Sequence, residues 1–336
     1  MKCPACGGDC ILKPEKVLDE LYSMYAPCGS CELDPMYNKS APFYERLHTD
    51  SGRCRKCGKR HLDSVIGNVL TILKDSGLFP DDASLREAGT PLIVFGYQIP
   101  YPPRLFRKSL VLIMDSITKE TADAVMSSVP EIKAIIKRTG SPSRSIGILD
   151  TDSKPHTYEL VSGCDMRCDV ASSVFGELCI YKNQAKVHIE FNNTKIRKIE
   201  GLYINGDLDN AVVVDGLCGP GTLGLLCALG GARKVILNDA WLPAVQNAIL
   251  NIRANSDLLG VKIEFETDHD KLIGDEPVLL ARANGNSEIL VYHGDIRELG
   301  KAVKDCDLCL IDTFPSVDPS DHACLCRDIA KKIVII

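Results

Sequence analysis

The chain has 336 residues, 45% of them hydrophobic and 25% charged, which excludes a disordered polymer and leaves room for two or three domains. No apolar run approaches the roughly 18 residues of a membrane span, and Met1-Lys-Cys-Pro-Ala-Cys has no signal-peptide core. The expectation is therefore a cytoplasmic protein without a membrane partner. A net charge of −6 leaves only local basic clusters, such as Lys195, Arg197 and Lys198, to meet a nucleic acid.

The first element is a cysteine module over residues 1–62. Of 16 cysteines in the chain, Cys3, Cys6, Cys10, Cys28, Cys31, Cys54 and Cys57 crowd its start. In a long chain without an export signal, metal ligation is favoured over disulfides. Three C-x-x-C pairs carry zinc spacing, and the first and third run into glycine, which lets the backbone curl around an ion. A four-thiolate zinc site from Cys3, Cys6, Cys54 and Cys57 is the first choice. Cys10, Cys28 and Cys31 would then make a second site with His48 or His61. An iron–sulfur cluster is the lesser alternative, because no C-x3-C-x2-C triad is present.

An α+β domain follows over 63–201. Leu62, Val65, Ile66, Val69, Leu70 and Leu73 recur at helical spacing, predicting a helix over 61–76. Residues 77–108 are rich in Pro and Gly, with a turn at Tyr101-Pro-Pro-Arg. Leu110–Met114 reads as a strand and Lys119–Arg138 as a helix broken near Pro130. Tyr158–Val161, Leu178–Tyr181 and Lys186–Phe191 read as strands.

From Leu202 onward, apolar strands alternate with helices: Ala211–Asp215, Lys234–Asn238, Ile289–His293, Leu308–Asp312 and Lys332–Ile336. That alternation predicts a Rossmann-like doubly wound parallel sheet over 202–336. Gly219, Gly221 and Gly224 spell the dinucleotide fingerprint G-x-G-x-x-G. Asp215, however, ends the strand, and Gly216-Leu217-Cys218 stands between it and the first of those glycines. A pyrophosphate on the helix N-terminus would be repelled by that anion. S-adenosylmethionine, with an ammonium, a sulfonium and no phosphate, suits it better than NAD(P) or FAD. Asp239 ends the second strand at the interval of a ribose-binding acid, and would also cap the next helix. Asp295 could accept from an adenine amino group, with a solvated loop acid as the rival reading. Gly216, Cys218, Gly219 and Gly221, with Asn238 and Ile296 beside the acids, complete the expected cofactor set.

These segments, D-G-L-C-G-P-G-T-L-G, N-D-A-W-L-P-A-V-Q-N-A-I-L-N, H-G-D and I-D-T-F-P, resemble class I SAM-dependent methyltransferases. More narrowly, they are similar to the tRNA guanine-N1 methyltransferases of archaea and eukaryotes and their wyosine-pathway relatives. The resemblance runs from about Ser109 to the C-terminus and includes Pro130–Gly140 and Tyr158–Gly163. It implies SAM as cofactor and tRNA as partner. Asp312 falls at the family's substrate-facing motif, to orient or deprotonate a nucleophile, with a loop acid capping the next turn as the rival reading. Arg144 is a candidate for phosphate or carboxylate contact. The family's N-P-P pattern is absent, which keeps a protein or small-molecule acceptor open, as well as a non-catalytic SAM- or zinc-binding interaction module. Methyltransferases of this class close their sheet with a final hairpin, whereas this sequence reaches Lys332-Ile-Val-Ile-Ile as its fifth strand. Either Lys186–Phe191 and Leu202–Asn205 cover that edge, or a second copy pairs with it. Residues 261–287, with a strand-like run Val261–Glu266, are a substrate-facing or surface insertion.

Overall fold

The computed structural model describes residues 1–138, 158–187, 193–267, 276–313 and 317–336. These fall into two compact units that divide between Cys168 and Asp169. The cysteine-rich residues share the first unit with 63–138 and 158–168, so the division lies inside the stretch predicted as one α+β domain.

In the first unit, helix α1 (Pro14–Met24) opens on Pro14, where a missing N–H is harmless, and buries Val17, Leu21 and Met24. Helix α2 (Leu62–Asp75) matches the predicted helix, and Val65, Ile66, Val69, Leu70 and Leu73 are all buried. A four-stranded sheet follows from β1 (Thr90–Ile93), β2 (Leu110–Met114), β3 (Ile132–Lys137) and β4 (Glu159–Gly163), side by side in that order. The helix predicted over Lys119–Arg138 stops early. Helix α3 covers Lys119–Ser128, and beyond Pro130 the chain enters β3, parallel to β2. Ile132, Ile135 and Ile136 are β-branched and buried, as a central parallel strand requires, which explains the switch from helix. Strand β1 lies within 77–108, where sequence pointed only to turns.

The second unit takes in strand β5 (Met166–Ser173, from Asp169 onward), strand β6 (Gly176–Asn183) and helix α4 (Asn193–Ile204). Leu202–Asn205, read from sequence as a strand, belongs mainly to α4, whose Ile196, Ile199 and Leu202 recur at helical spacing and are buried. The sheet then runs β7 (Val212–Asp215), β8 (Lys234–Asp239), β9 (Val261–Glu266), β10 (Val278–Gly285), β11 (Glu288–His293), β12 (Cys306–Ile311) and β13 (Ala330–Ile335). Spatial order is β9-β10-β11-β8-β7-β12-β13. The run β11-β8-β7-β12-β13 is parallel, and β9 and β10 add an antiparallel pair beside β11.

Val261–Glu266 and Val278–Gly285, from the predicted insertion, are thus a sheet extension on the edge opposite β13. Among the described residues β13 pairs only with β12, so the edge noted from sequence lacks a neighbouring strand there. Successive side chains of a strand face opposite ways, and both faces here are apolar. Val213, Val235 and Leu237 join one core with helices α5 (Thr222–Leu229) and α6 (Leu242–Ala254). Val212, Val214 and Ile236 join the other, with Ile296, Leu299 and Ile329.

Helix α6 holds β6 in an unusual way. Asn251 accepts from Tyr181 N (2.7 Å) and donates to Tyr181 O (2.9 Å), copying the two bonds of a strand neighbour. Asn255 repeats this one turn later with Cys179, at 3.0 and 2.9 Å. Both asparagines are buried, so substitution would leave paired backbone groups stranded.

Candidate cofactor site

The chain leaves β7 toward β8 on one side and later returns to β12 on the other. A crevice opens at such a reversal, outside the carboxyl ends of the strands. Asp215 ends β7, Asp239 ends β8, and Asp312 follows β12. The three strand-end acids singled out from sequence therefore share this end of the sheet.

The glycine turn is pinned from several directions. Gly219 N donates to Asp239 Oδ2 (2.9 Å) and Cys218 N to Asn238 O (2.8 Å). Asn238 Nδ2 reaches Gly216 O and Gly294 O, at 3.1 and 3.0 Å. Asn251 Nδ2 donates to Pro220 O (2.9 Å), so the asparagine that holds β6 also fixes the turn. Gly219 and Gly221 have φ of 53° and 87°, a region open to glycine. A Cβ on Gly224 would run into Leu237 Cδ2, so the third glycine serves helix-to-strand packing. At Gly216 a Cβ would sit 2.5 Å from Ile296 Cδ1, which brings two of the expected cofactor residues together.

Asp215 decides what this turn can accept. Its Oδ2 accepts from Gly224 N (2.9 Å), inside the first turn of α5. A carboxylate thus occupies the helix N-terminus, where a pyrophosphate would otherwise take its N–H donors. Its Oδ1 is buried and has no hydrogen-bond partner among the described residues. Burial first, and then the neighbouring Asp312, push this carboxyl up to about 7. The site is short of positive charge, and a cationic ligand would relieve it.

The other acids are more fully engaged. Asp239 accepts from Gly219 N and from Trp241 N (2.8 Å), a turn just ahead of α6, whose N-cap is Trp241 rather than Asp239, so the predicted cap is not made. Burial raises its carboxyl above the usual range. Asp295 accepts from Arg297 N (2.9 Å) and pairs with the Arg297 guanidinium, which holds it below the usual range. Both Asp312 oxygens receive Lys195 Nζ, at 2.7 and 2.8 Å. Burial raises the Cys218 thiol well above its ordinary value, so it faces the site as a neutral group. Arg144 lies outside the described residues, as do 314–316 of the motif after Asp312.

The cysteines assemble differently from the pairing predicted. Cys3, Cys6 and Cys10 gather with Cys164, and Cys28 and Cys31 gather with Cys54 and Cys57. The two glycine-backed pairs therefore belong to different clusters. Neither His48 nor His61 completes one: His61 Nδ1 accepts from Asp63 N at the start of α2. Sequence missed Cys164, which has no C-x-x-C partner of its own, and gave no reason to select Lys195 within its basic run.

No family model and no curated protein matches this chain. Its solved likenesses include a tRNA methyltransferase. The M. jannaschii tRNA m1G37 methyltransferase is 18% identical with a TM-score of 0.35, over 66% of this chain and 55% of its own. Trm1 from Pyrococcus horikoshii, in complex with S-adenosyl-L-methionine, is 21% identical with a TM-score of 0.34, over 48% of this chain. This chain spans 40% of the length of that protein. P. horikoshii TYW2, in complex with MeSAdo, is 16% identical with a TM-score of 0.42, over 78% of this chain and 76% of its own.

Proposed function

We propose that this protein is a class I SAM-dependent methyltransferase with a Rossmann-like sheet, and that its acceptor is tRNA. The observation that carries the cofactor reading is Asp215. It fills the helix N-terminus a dinucleotide phosphate would need, and it keeps a buried carboxylate oxygen without a partner among the described residues. The tRNA reading rests on the sequence resemblance of the motifs at 215–224, 238–251 and 293–295.

SAM supplies a methyl group made electrophilic by its sulfonium. Transfer is an in-line displacement, so what the chain contributes is chiefly position. Asp215 offers negative charge to a cation, and the turn at Gly216, Cys218, Gly219 and Gly221 brings backbone close. Asp239 keeps lone pairs for ribose hydroxyls beyond the two N–H groups it already accepts. Asp295 can meet an adenine amino group once Arg297 turns aside.

Asp312 is assigned to orient the acceptor rather than to deprotonate it. Both of its oxygens already hold the Lys195 ammonium, which fixes the carboxylate in place as a positioning group. A protein or small-molecule acceptor is the second reading, favoured by the net charge of −6. Incubating the purified protein with methyl-labelled SAM and cell extract separates them. Label removed by RNase supports tRNA. Label that survives RNase but not protease contradicts it.

A further inference from the structure

The eight clustered cysteines hold their sulfurs at distances that belong to a single metal ion in each cluster. In the first, Cys3–Cys164 and Cys10–Cys164 are 3.7 Å apart and Cys6–Cys10 is 3.4 Å. In the second, Cys28–Cys54 and Cys28–Cys31 are 3.7 Å apart and Cys31–Cys57 is 3.6 Å. A disulfide would need about 2.05 Å. Four sulfurs placed tetrahedrally at about 2.3 Å from one zinc lie about 3.8 Å from each other. The observed spacings fall just inside that edge. A polynuclear iron–sulfur cluster would spread its cysteine sulfurs further than one ion does.

The backbone is shaped for the same purpose in both clusters. Cys3 N donates to Gly8 O and Gly7 N to Cys3 O, both at 2.8 Å. Cys54 N donates to Lys59 O (2.9 Å) and Gly58 N to Cys54 O (2.8 Å). Gly7 and Gly58 have φ of 67° and 72°, so each C-x-x-C-G turn closes through the left-handed region. These turns aim backbone N–H groups at one sulfur: Ala5 and Cys6 at Cys3, Lys56 and Cys57 at Cys54. Hydrogen bonds of that kind stabilise a thiolate, the form that binds metal.

Each cluster is also rooted in the first unit. Cys164 follows Gly163, whose φ is 87° and whose Cβ would collide with Lys133 O, so only glycine brings Cys164 against β3. Cys164 N donates to Lys133 O (3.1 Å), and the buried Lys133 places a compensating positive charge toward Cys10. Beside the second cluster, Arg60 follows the Cys54 turn and pairs with Glu131 (3.3 Å), and both side chains are fully buried.

We infer that the first unit holds two zinc ions in separate four-cysteine sites, Cys3/Cys6/Cys10/Cys164 and Cys28/Cys31/Cys54/Cys57. The first is a metal staple between the N-terminal turn and a residue 161 positions downstream of Cys3. Such a cross-link closes a long loop in the unfolded chain, and the entropy it removes there grows slowly with loop length. This inference stands independently of the methyl-transfer reading.

Metal content of the purified full chain, measured by plasma mass spectrometry, tests it. Wild type is expected to carry two zinc ions, and Cys164→Ser one. Cys6→Ser with Cys10→Ser removes two ligands of the same site and is expected to leave one zinc. Cys6→Ser with Cys57→Ser breaks both sites and leaves none, while Cys324→Ser, outside both clusters, leaves two. One zinc or fewer in wild type, iron in place of zinc, or two zincs in Cys164→Ser would overturn it. Maleimide labelling of wild type tests the same ligand set without a variant. Cys164 must become labelled together with the other seven ligands when a chelator strips the metal. Labelling of Cys164 that ignores the chelator contradicts the staple.

Discussion

Asp215→Asn isolates the carboxylate on which the site depends. Asparagine keeps an oxygen for Gly224 N but cannot ionise. In the wild type, burial first and then Asp312 move the carboxyl from 3.8 to about 7. The folded value lies above the unfolded one, so the contribution of this group to stability is complete below about pH 4 and is lost as pH rises toward 7. Three pK units correspond to about 4 kcal/mol in total, with a limiting slope of about 1.4 kcal/mol per pH unit. Urea unfolding between pH 4.5 and 8, followed on Trp241, reads this directly. Trp241 is the chain's one tryptophan, and it belongs to the second unit, where its backbone N–H bonds Asp239. Asp215→Asn should gain on wild type by about 3–4 kcal/mol across that range, whatever its offset at low pH. Parallel pH profiles for the two proteins would refute the argument that Asp215 is a strained, charge-seeking carboxylate.

Two further substitutions probe the surroundings of that group. Gly224→Ala forces a methyl against Leu237 Cδ2 and should cost about 1–3 kcal/mol by overpacking, measured as a lowered urea midpoint with the zinc content unchanged. A wild-type midpoint would show that α5 can back away from β8. Lys195→Ala removes the ammonium that clamps Asp312 and that also lowers the Asp215 carboxyl. It should move the Asp215 pH transition upward, while its direct cost to stability stays under about 1 kcal/mol because Lys195 is partly exposed. An unmoved transition would mean that Lys195 and Asp215 do not share one electrostatic site.

Much of this fold was legible because apolar runs ended in informative residues. Val212–Asp215, Lys234–Asp239 and Glu288–His293 are short, apolar and closed by an acid or histidine, and each was located from sequence to within a residue. Ile132–Lys137 was missed because a run of isoleucine and alanine fits a buried helix as well as a buried strand, and only parallel pairing with Leu110–Met114 decides. The cysteine pairing was illegible for another reason. C-x-x-C spacing reports which two thiols share an ion but not which pairs combine, and Cys164 reaches its partners only through the sheet that seats Gly163. Lys195 is one of several basic residues on α4, and its role follows from where that helix lies relative to Asp312. Asn251 closes the motif and Asn255 stands just past α6, but their pairing with the backbone of β6 requires the fold.

Titration of SAM into the wild type and Asp215→Asn by calorimetry at pH 8 tests the central claim most directly. The wild type should bind one SAM per chain. Asp215→Asn should bind at least about ten-fold more weakly, the loss expected for one charge-assisted hydrogen bond worth about 1.5–3 kcal/mol. NADH should bind neither protein. SAM affinity unchanged by the substitution, or NADH binding as tightly as SAM, would contradict the assignment of this turn.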